Sequence, residues 1–156
     1  MPQRYAVIGN PIEHSRSPLI HQAFARQLGI DLTYEKLWAP IDGFDDAVNA
    51  FREAGGRGMN VTVPFKLEAF DLAGRHSERA ERALAANTLV FPESADEPIF
   101  ADNTDGVGLV NDLAFHGVKL LGQRVLILGA GGATRGVLAP LLELSLIHIS
   151  EPTRPY

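Results

Sequence analysis

Two hydrophobic rhythms take turns along this chain. Short apolar runs with period two give way to longer stretches whose apolar residues recur three and four apart, the pattern of strands and helices in succession. "RYAVIG" predicts a short buried strand, and "SPLIHQAFARQLGI" a helix carrying Leu19, Ile20, Phe24 and Leu28 at helical spacing. "LTYEKLWA" predicts the next strand. A helix follows over "IDGFDDAVNAFREAGG", with Phe44, Val48 and Phe51 on one stripe and a double Gly to end it. "GMNVTVPF" reads as a third strand, stopped by Pro64. Beyond it the pattern predicts a short helix from Lys66 to Phe70, another over "SERAERALAA", and strands in "NTLVFP" and "PIFAD". "TDGVGLVNDLAFHG" is helical and Gly-closed. It leads through "VKLLGQ" to the strand "RVLIL", a Gly-rich turn and an apolar helix.

Alternating strands and helices predict an α/β fold with parallel pairs, because parallel neighbours need a crossover and a helix is the usual one. The boundaries fall at residues 1–118 for a first domain and 122–144 for the first βα unit of a Rossmann-type domain. Of 156 residues, 46% are hydrophobic and 21% charged, which describes a soluble globular protein with material for a core. A net charge of -5 without any basic block disfavours nucleic acid and favours a small-molecule partner. No cysteine is present, so disulfides, thiolate metal sites and cysteine nucleophiles are excluded. The histidines lack metal-ligand spacing with carboxylates, and no metal is expected; only His14 lies beside a candidate site. The N-terminal apolar run breaks at Gly9-Asn10-Pro11, too early for a signal peptide, and no stretch has the length of a membrane span. The expectation is a cytoplasmic protein with no membrane partner.

Several local patterns carry candidate chemistry, each with an ordinary structural alternative. In "GAGGAT", Gly129 and Gly131 take the first two positions of G-x-G-x-x-G, with Thr134 where the third Gly would stand. Such a turn cradles a dinucleotide pyrophosphate, or is merely a strand-to-helix loop. The group that reads the ribose 2′ position belongs about 20 residues on. There "SLIHISEPTRPY" offers neither an acidic strand end nor a clear Arg site, Arg154 standing between Pro152 and Pro155, so these residues do not distinguish NAD from NADP. Strand alternation in "NVTVPFK" sets Asn60 and Thr62 opposite Val61 and Val63. An amide and a hydroxyl then share the C-terminal end of a strand, as a ligand site or a solvent face. Ser17, before Pro18, suits a helix N-cap, whereas Ser15 has less structural use. Lys66 alone reads as a surface lysine, Asn87 as a turn residue and Asp105-Gly106 as a turn or helix start; Asp102 and Asn103 read as local turn formers.

Taken together and in order, "GNPIEHSRSP", "NVTVPFK", "NTL", "DNTDGVG" and "GAGGATRG" resemble shikimate dehydrogenase, from residue 5 to about 144. The resemblance implies an N-terminal substrate domain, its twisted sheet mainly parallel and flanked by helices, and NADP-dependent interconversion of 3-dehydroshikimate and shikimate in aromatic amino-acid biosynthesis. It assigns the substrate carboxylate to the hydroxyls of Ser15 and Ser17, and further substrate contacts to Asn60, Thr62, Asn87 and Asp105. Lys66 becomes the catalytic residue that also meets substrate, with Asp105 as its partner. Gly129, Ala130, Gly131, Gly132 and Ala133 would begin the NADP cradle. An NAD-using quinate/shikimate dehydrogenase is the nearest enzymatic alternative, and an inert chain that only binds shikimate is another. The likeness ends at Ser145. Residues 145–156 look like translated sequencing-adaptor DNA and are read as a non-native tail, which makes the chain an N-terminal portion of a longer enzyme. On that reading "RVLIL" cannot complete a parallel sheet, and a poorly ordered C-terminus follows. The whole reading demands that Lys66 and Asp105 converge in one cleft.

Overall fold

A computed structural model describes residues 2–94, 96–144 and, for the backbone, 147–151. The first strand, β1 (Gln3–Gly9), is central and its second half is buried on both faces, as a parallel strand flanked by helices must be. Two helical crossovers follow: α1 (Ser17–Leu28) returns to β2 (Leu32–Trp38), and α2 (Phe44–Glu53) returns to β3 (Gly56–Val61). β2 and β3 flank β1 and are parallel to it. Then come α3 (Lys66–Leu72), β4 (Arg75–His76), α4 (Glu78–Ala83), β5 (Thr88–Val90), β6 (Phe100–Asp102) and α5 (Asp105–Phe115). The six-stranded sheet has the order β2-β1-β3-β5-β6-β4. β5 runs antiparallel to both β3 and β6, and β4 is parallel to β6, so the sheet is parallel in most of its pairings.

The main core lies on the α2 and α3 side. There Phe44, Val48 and Phe51, the predicted stripe of α2, close over Ala6, Ile8, Met59, Val61 and Leu89 of the sheet, with Phe65 stacked on Phe44. The other face carries α1 over Val7, Ile12 and Tyr34.

Local differences from the sequence pattern have physical reasons. The apolar residues of α1 do form a stripe, but it faces outward: Ala25 is the helix's buried residue, while Leu19, Ile20, Phe24 and Leu28 are exposed. Periodicity reports that one face is apolar, not which element covers it. The third strand ends at Val61 rather than Pro64. Phe65 N–H closes a turn onto the Thr62 carbonyl at 3.0 Å, and the Asn10-Pro11 and Val63-Pro64 peptides are both cis. Val63 is therefore exposed instead of sharing the inward face of Val61. α4 is shorter than "SERAERALAA", since Leu84 adopts a left-handed conformation and ends it; Ser77 caps its other end by accepting the Ala80 N–H at 3.1 Å.

The second unit comprises β7 (Arg124–Leu128), α6 (Gly132–Glu143) and β8 (Ile147–Glu151). β8 pairs in parallel with β7 from Arg124↔Ile147 to Leu128↔Glu151, which corrects the expectation that "RVLIL" lacks a parallel partner. The apolar side chains of β7 remain open, Leu126 and Leu128 both being exposed. The tail reading otherwise falls on residues 145, 146 and 152–156, which lie outside the described residues.

α6 docks on α5 by backbone contact. A Cβ on Gly106 would stand 2.3 Å from the Gly136 carbonyl oxygen, and one on Gly136 would stand 2.7 Å from Asn103 Oδ1. Pro140 lies within α6 and has no N–H to offer the Gly136 carbonyl one turn back. No described helix is long and apolar enough to cross a membrane.

Candidate active site

The C-terminal ends of β1 and β3, with the segments that follow them, open a cleft of about 620 Å³. It is lined by Ser15, Ser17, Asn60, Thr62, Lys66, Asn87 and Asp105, so every candidate substrate residue meets in one place. His14 lines it too, and so does His21, which the sequence reading left away from any site.

Ser17 is the first residue of α1, and no side chain caps that helix, so the N-cap expectation fails. Ser15 instead has the structural part: its Oγ accepts the Ser17 N–H at 3.3 Å, and its hydroxyl donates to Ser17 Oγ at 3.2 Å. The Ser17 hydroxyl proton stays free for a ligand acceptor, among the described residues. Thr62 lies just past β3, and its hydroxyl likewise makes no hydrogen bond among the described residues. These two hydroxyls and the ammonium of Lys66 supply donors to the cleft.

Lys66 opens α3 and Asp105 opens α5. Lys66 Nζ donates to Asp105 Oδ2 at 2.5 Å, with the two side chains 13% and 23% exposed. Such a charge-assisted bond is short and strong because each ion is held with little competing water. The other carboxylate oxygen, Oδ1, accepts from Asn87 Nδ2 at 2.8 Å. Asn103 anchors the start of α5: its Oδ1 accepts the Asp105 N–H at 3.1 Å, while its Nδ2 donates to the Ala85 carbonyl at 2.9 Å. Its side chain is buried, so the turn former of the sequence reading also holds the acid in place. An Asx residue two positions before a helical Asp is the signal that could have found it.

Beside the site, Asp102 ends β6 and ties it to α4. Burial opposes its ionisation, yet hydrogen bonds from Arg79, Ser77 and the Asn103 N–H, with the Arg79 charge, outweigh burial and hold the carboxyl below the usual aspartate range. Ser77 Oγ and Arg79 Nη2 each reach it at 2.5 Å.

The glycine turn adjoins the pair. Gly129 has φ 111°, a conformation side-chain-bearing residues rarely adopt, and Thr134 Oγ1 donates to its carbonyl at 3.0 Å. Gly131 precedes α6 with open space where a side chain would begin, and no acidic residue lies in the first turn. A Cβ on Gly132 would lie 3.1 Å from Lys66 Cβ. The helix opening that can receive a pyrophosphate is thereby packed on the stem of the lysine, and this arrangement fits a dinucleotide. No group of metal-ligating side chains is found among the described residues.

Residues 7–89 match the shikimate dehydrogenase substrate binding domain. The shikimate dehydrogenase (NADP(+)) of Aromatoleum aromaticum is 64% identical over 140 residues, 89% of this chain and 49% of that protein. The enzyme of the same name from Nitrosospira multiformis is 60% identical over 144 residues, 92% of this chain and 51% of that protein. Among solved structures, the shikimate 5-dehydrogenase of Thermus thermophilus in complex with NADP(H) and shikimate is 35% identical with a TM-score of 0.85, covering 95% of this chain and 55% of that one. The chain thus spans about half the length of the curated relatives it matches.

Proposed function

Because the chain belongs to the shikimate dehydrogenase family through its substrate-binding domain, we infer that its cleft binds shikimate and 3-dehydroshikimate and carries the acid–base half of their interconversion. The observation that carries this reading is the 2.5 Å Lys66–Asp105 pair, facing a cleft lined with hydroxyls and abutting the glycine turn. The free hydroxyl of Ser17, supported by Ser15, donates to the ring carboxylate. Thr62 meets a ring hydroxyl, and Asn60 and Asn87 line the cleft around it. Ketone reduction adds a hydride to carbon and a proton to oxygen, and the Lys66 ammonium donates to the oxygen as negative charge develops there. Asp105 aims that ammonium and accepts from the product hydroxyl; in the reverse direction the lysine takes the hydroxyl proton back.

Gly129, Ala130, Gly131, Gly132 and Ala133 would hold the pyrophosphate of NADP, the cofactor in the names of the relatives, through helix-opening N–H groups and open glycine backbone. Bound there, the cofactor supplies or receives the hydride.

Titrating shikimate into the ¹⁵N-labelled chain tests the reading. The amides of Ser15, Ser17, Thr62 and Asp105 should shift saturably, and quinate should compete. Shifts confined to other surfaces, or none at millimolar shikimate, would refute it.

A further inference from the structure

Resting on that reading of the cleft, we propose that Tyr34 and Thr88, which lie outside the cleft, are positioning residues that fix the amide orientations of Asn60 and Asn87 and thereby the Asp105 carboxylate. Both residues line a separate hollow farther along the same α1-covered face of the sheet, and Asn60 and His21 line both it and the cleft. Asn60 is thus the wall between the two.

The hydrogen bonds run in one direction, and groups of unambiguous type pin them. The Thr104 backbone N–H donates to Asn87 Oδ1 at 3.0 Å, so that atom is the acceptor and Nδ2 faces Asp105 Oδ1. A flipped Asn87 would set an NH2 against an N–H and an oxygen against a carboxylate. At Asn60, Nδ2 faces the Asn87 carbonyl at 3.4 Å and Thr88 Oγ1 at 3.2 Å, which leaves Oδ1 toward Tyr34. The Tyr34 hydroxyl must then donate, and does so at 2.5 Å. Thr88, paired across from Asn60 on β5, accepts from Asn60 and passes its own proton to Asn87 Oδ1 at 2.9 Å. The donors in order are Tyr34, Asn60, Thr88 and Asn87, the Asp105 carboxylate is the final acceptor, and Lys66 donates to it from the other side.

Both ends of this chain are held. Tyr34 stacks on His21 with ring centroids 4.2 Å apart, and His21 Nδ1 bonds the Ser17 carbonyl at 2.9 Å. Burial pushes the Tyr34 hydroxyl well above the usual phenol range, against a smaller opposing effect of the Asn60 backbone, so it stays a donor. The chain also alters what the asparagines contribute. Both Nδ2 hydrogens of Asn87 are engaged, by Asp105 and by Thr104 Oγ1 at 2.9 Å, so its first task is to aim the acid.

The test uses Tyr34→Phe, which keeps the ring stack, and the pair Thr88→Val and Thr88→Ser, of which only the serine keeps the hydroxyl. In the ligand-free chain the side-chain NH2 protons of Asn60 and Asn87 should exchange slowly with solvent and lie away from free-asparagine shifts. Tyr34→Phe should speed exchange and move the signals of Asn60 toward free values, and Thr88→Val those of Asn87, with Thr88→Ser restoring them. Shikimate affinity should fall roughly 5- to 10-fold in Tyr34→Phe and Thr88→Val, the loss expected for one hydrogen bond, and recover in Thr88→Ser. Tyr34→Phe added to Asn60→Ala should cost nothing further. Unchanged Asn amide signals, no rescue by serine, or fully additive losses would each overturn the proposal. If the parent chain fails to bind shikimate, the cleft reading falls, while the ligand-free amide signals still decide the orienting chain.

Discussion

Asp105→Asn is the sharpest perturbation of the site because it changes one atom of a carboxylate that two donors share. Lys66 Nζ reaches one oxygen at 2.5 Å and Asn87 Nδ2 the other at 2.8 Å. An amide has a single acceptor oxygen, so in the variant either the ammonium or the Asn87 NH2 faces another NH2. The loss of one charge-assisted hydrogen bond corresponds to about 1.5–3 kcal/mol. Side-chain exposures of 13% and 23% keep the cost below the ~3–5 kcal/mol of a fully buried broken pair, since water can reach the stranded lysine. For a chain of this length that is a fall in Tm of roughly 3–12 °C, followed by circular dichroism. Shikimate affinity, measured by calorimetry, should fall about 10-fold or more, because the ligand hydroxyl loses its acceptor as the ammonium loses its aim. A variant that melts within a degree of the parent and binds shikimate equally would show that the two side chains do not share a site in solution.

Three further outcomes follow from the same geometry. In this chain joined to the cofactor half of a curated relative, Lys66→Ala should lower kcat for shikimate oxidation by about 10²-fold or more with a much smaller change in KM, and an unaltered kcat would remove the lysine from the proton step. Gly106→Ala places a methyl group 2.3 Å from the Gly136 carbonyl oxygen, so overpacking should cost about 1–3 kcal/mol in urea unfolding; no loss would mean that the helices do not touch there. Asp102 is held below its ordinary range in the folded state, so its contribution is present above about pH 4 and is lost as pH falls through the folded value. The stability gap between the parent and Arg79→Ala should therefore narrow on acidification from pH 5 to pH 2, and a gap independent of pH would contradict the pairing.

Much of the fold was legible because its signals are local. The Phe44, Val48 and Phe51 stripe sits in the core, and the glycine turn leads into α6 where the pattern placed it. What stayed hidden depends on the neighbour rather than the segment. The apolar stripe of α1 has the right period but no described cover, and Val63 leaves the inward face because a turn onto Thr62 intervenes. The strand β4 has two residues, too few to carry any period. At the site, Lys66, Asp105 and the serines were recognisable from motif order, but Tyr34, Thr88, Thr104 and Asn103 were not. Thr104 lines the cleft itself, whereas Tyr34, Thr88 and Asn103 reach the site only through another residue's side chain or backbone, a relation that spacing along a chain does not encode.

The Gly106–Gly136 contact has a mechanical meaning. With main chain touching main chain, the distance from α5 to α6 has no rotamer to relax it. A slide of one helix along the other would drive carbonyl into Cα, so neither glycine can take a larger side chain without displacing α6 and, with it, the turn packed on the stem of Lys66.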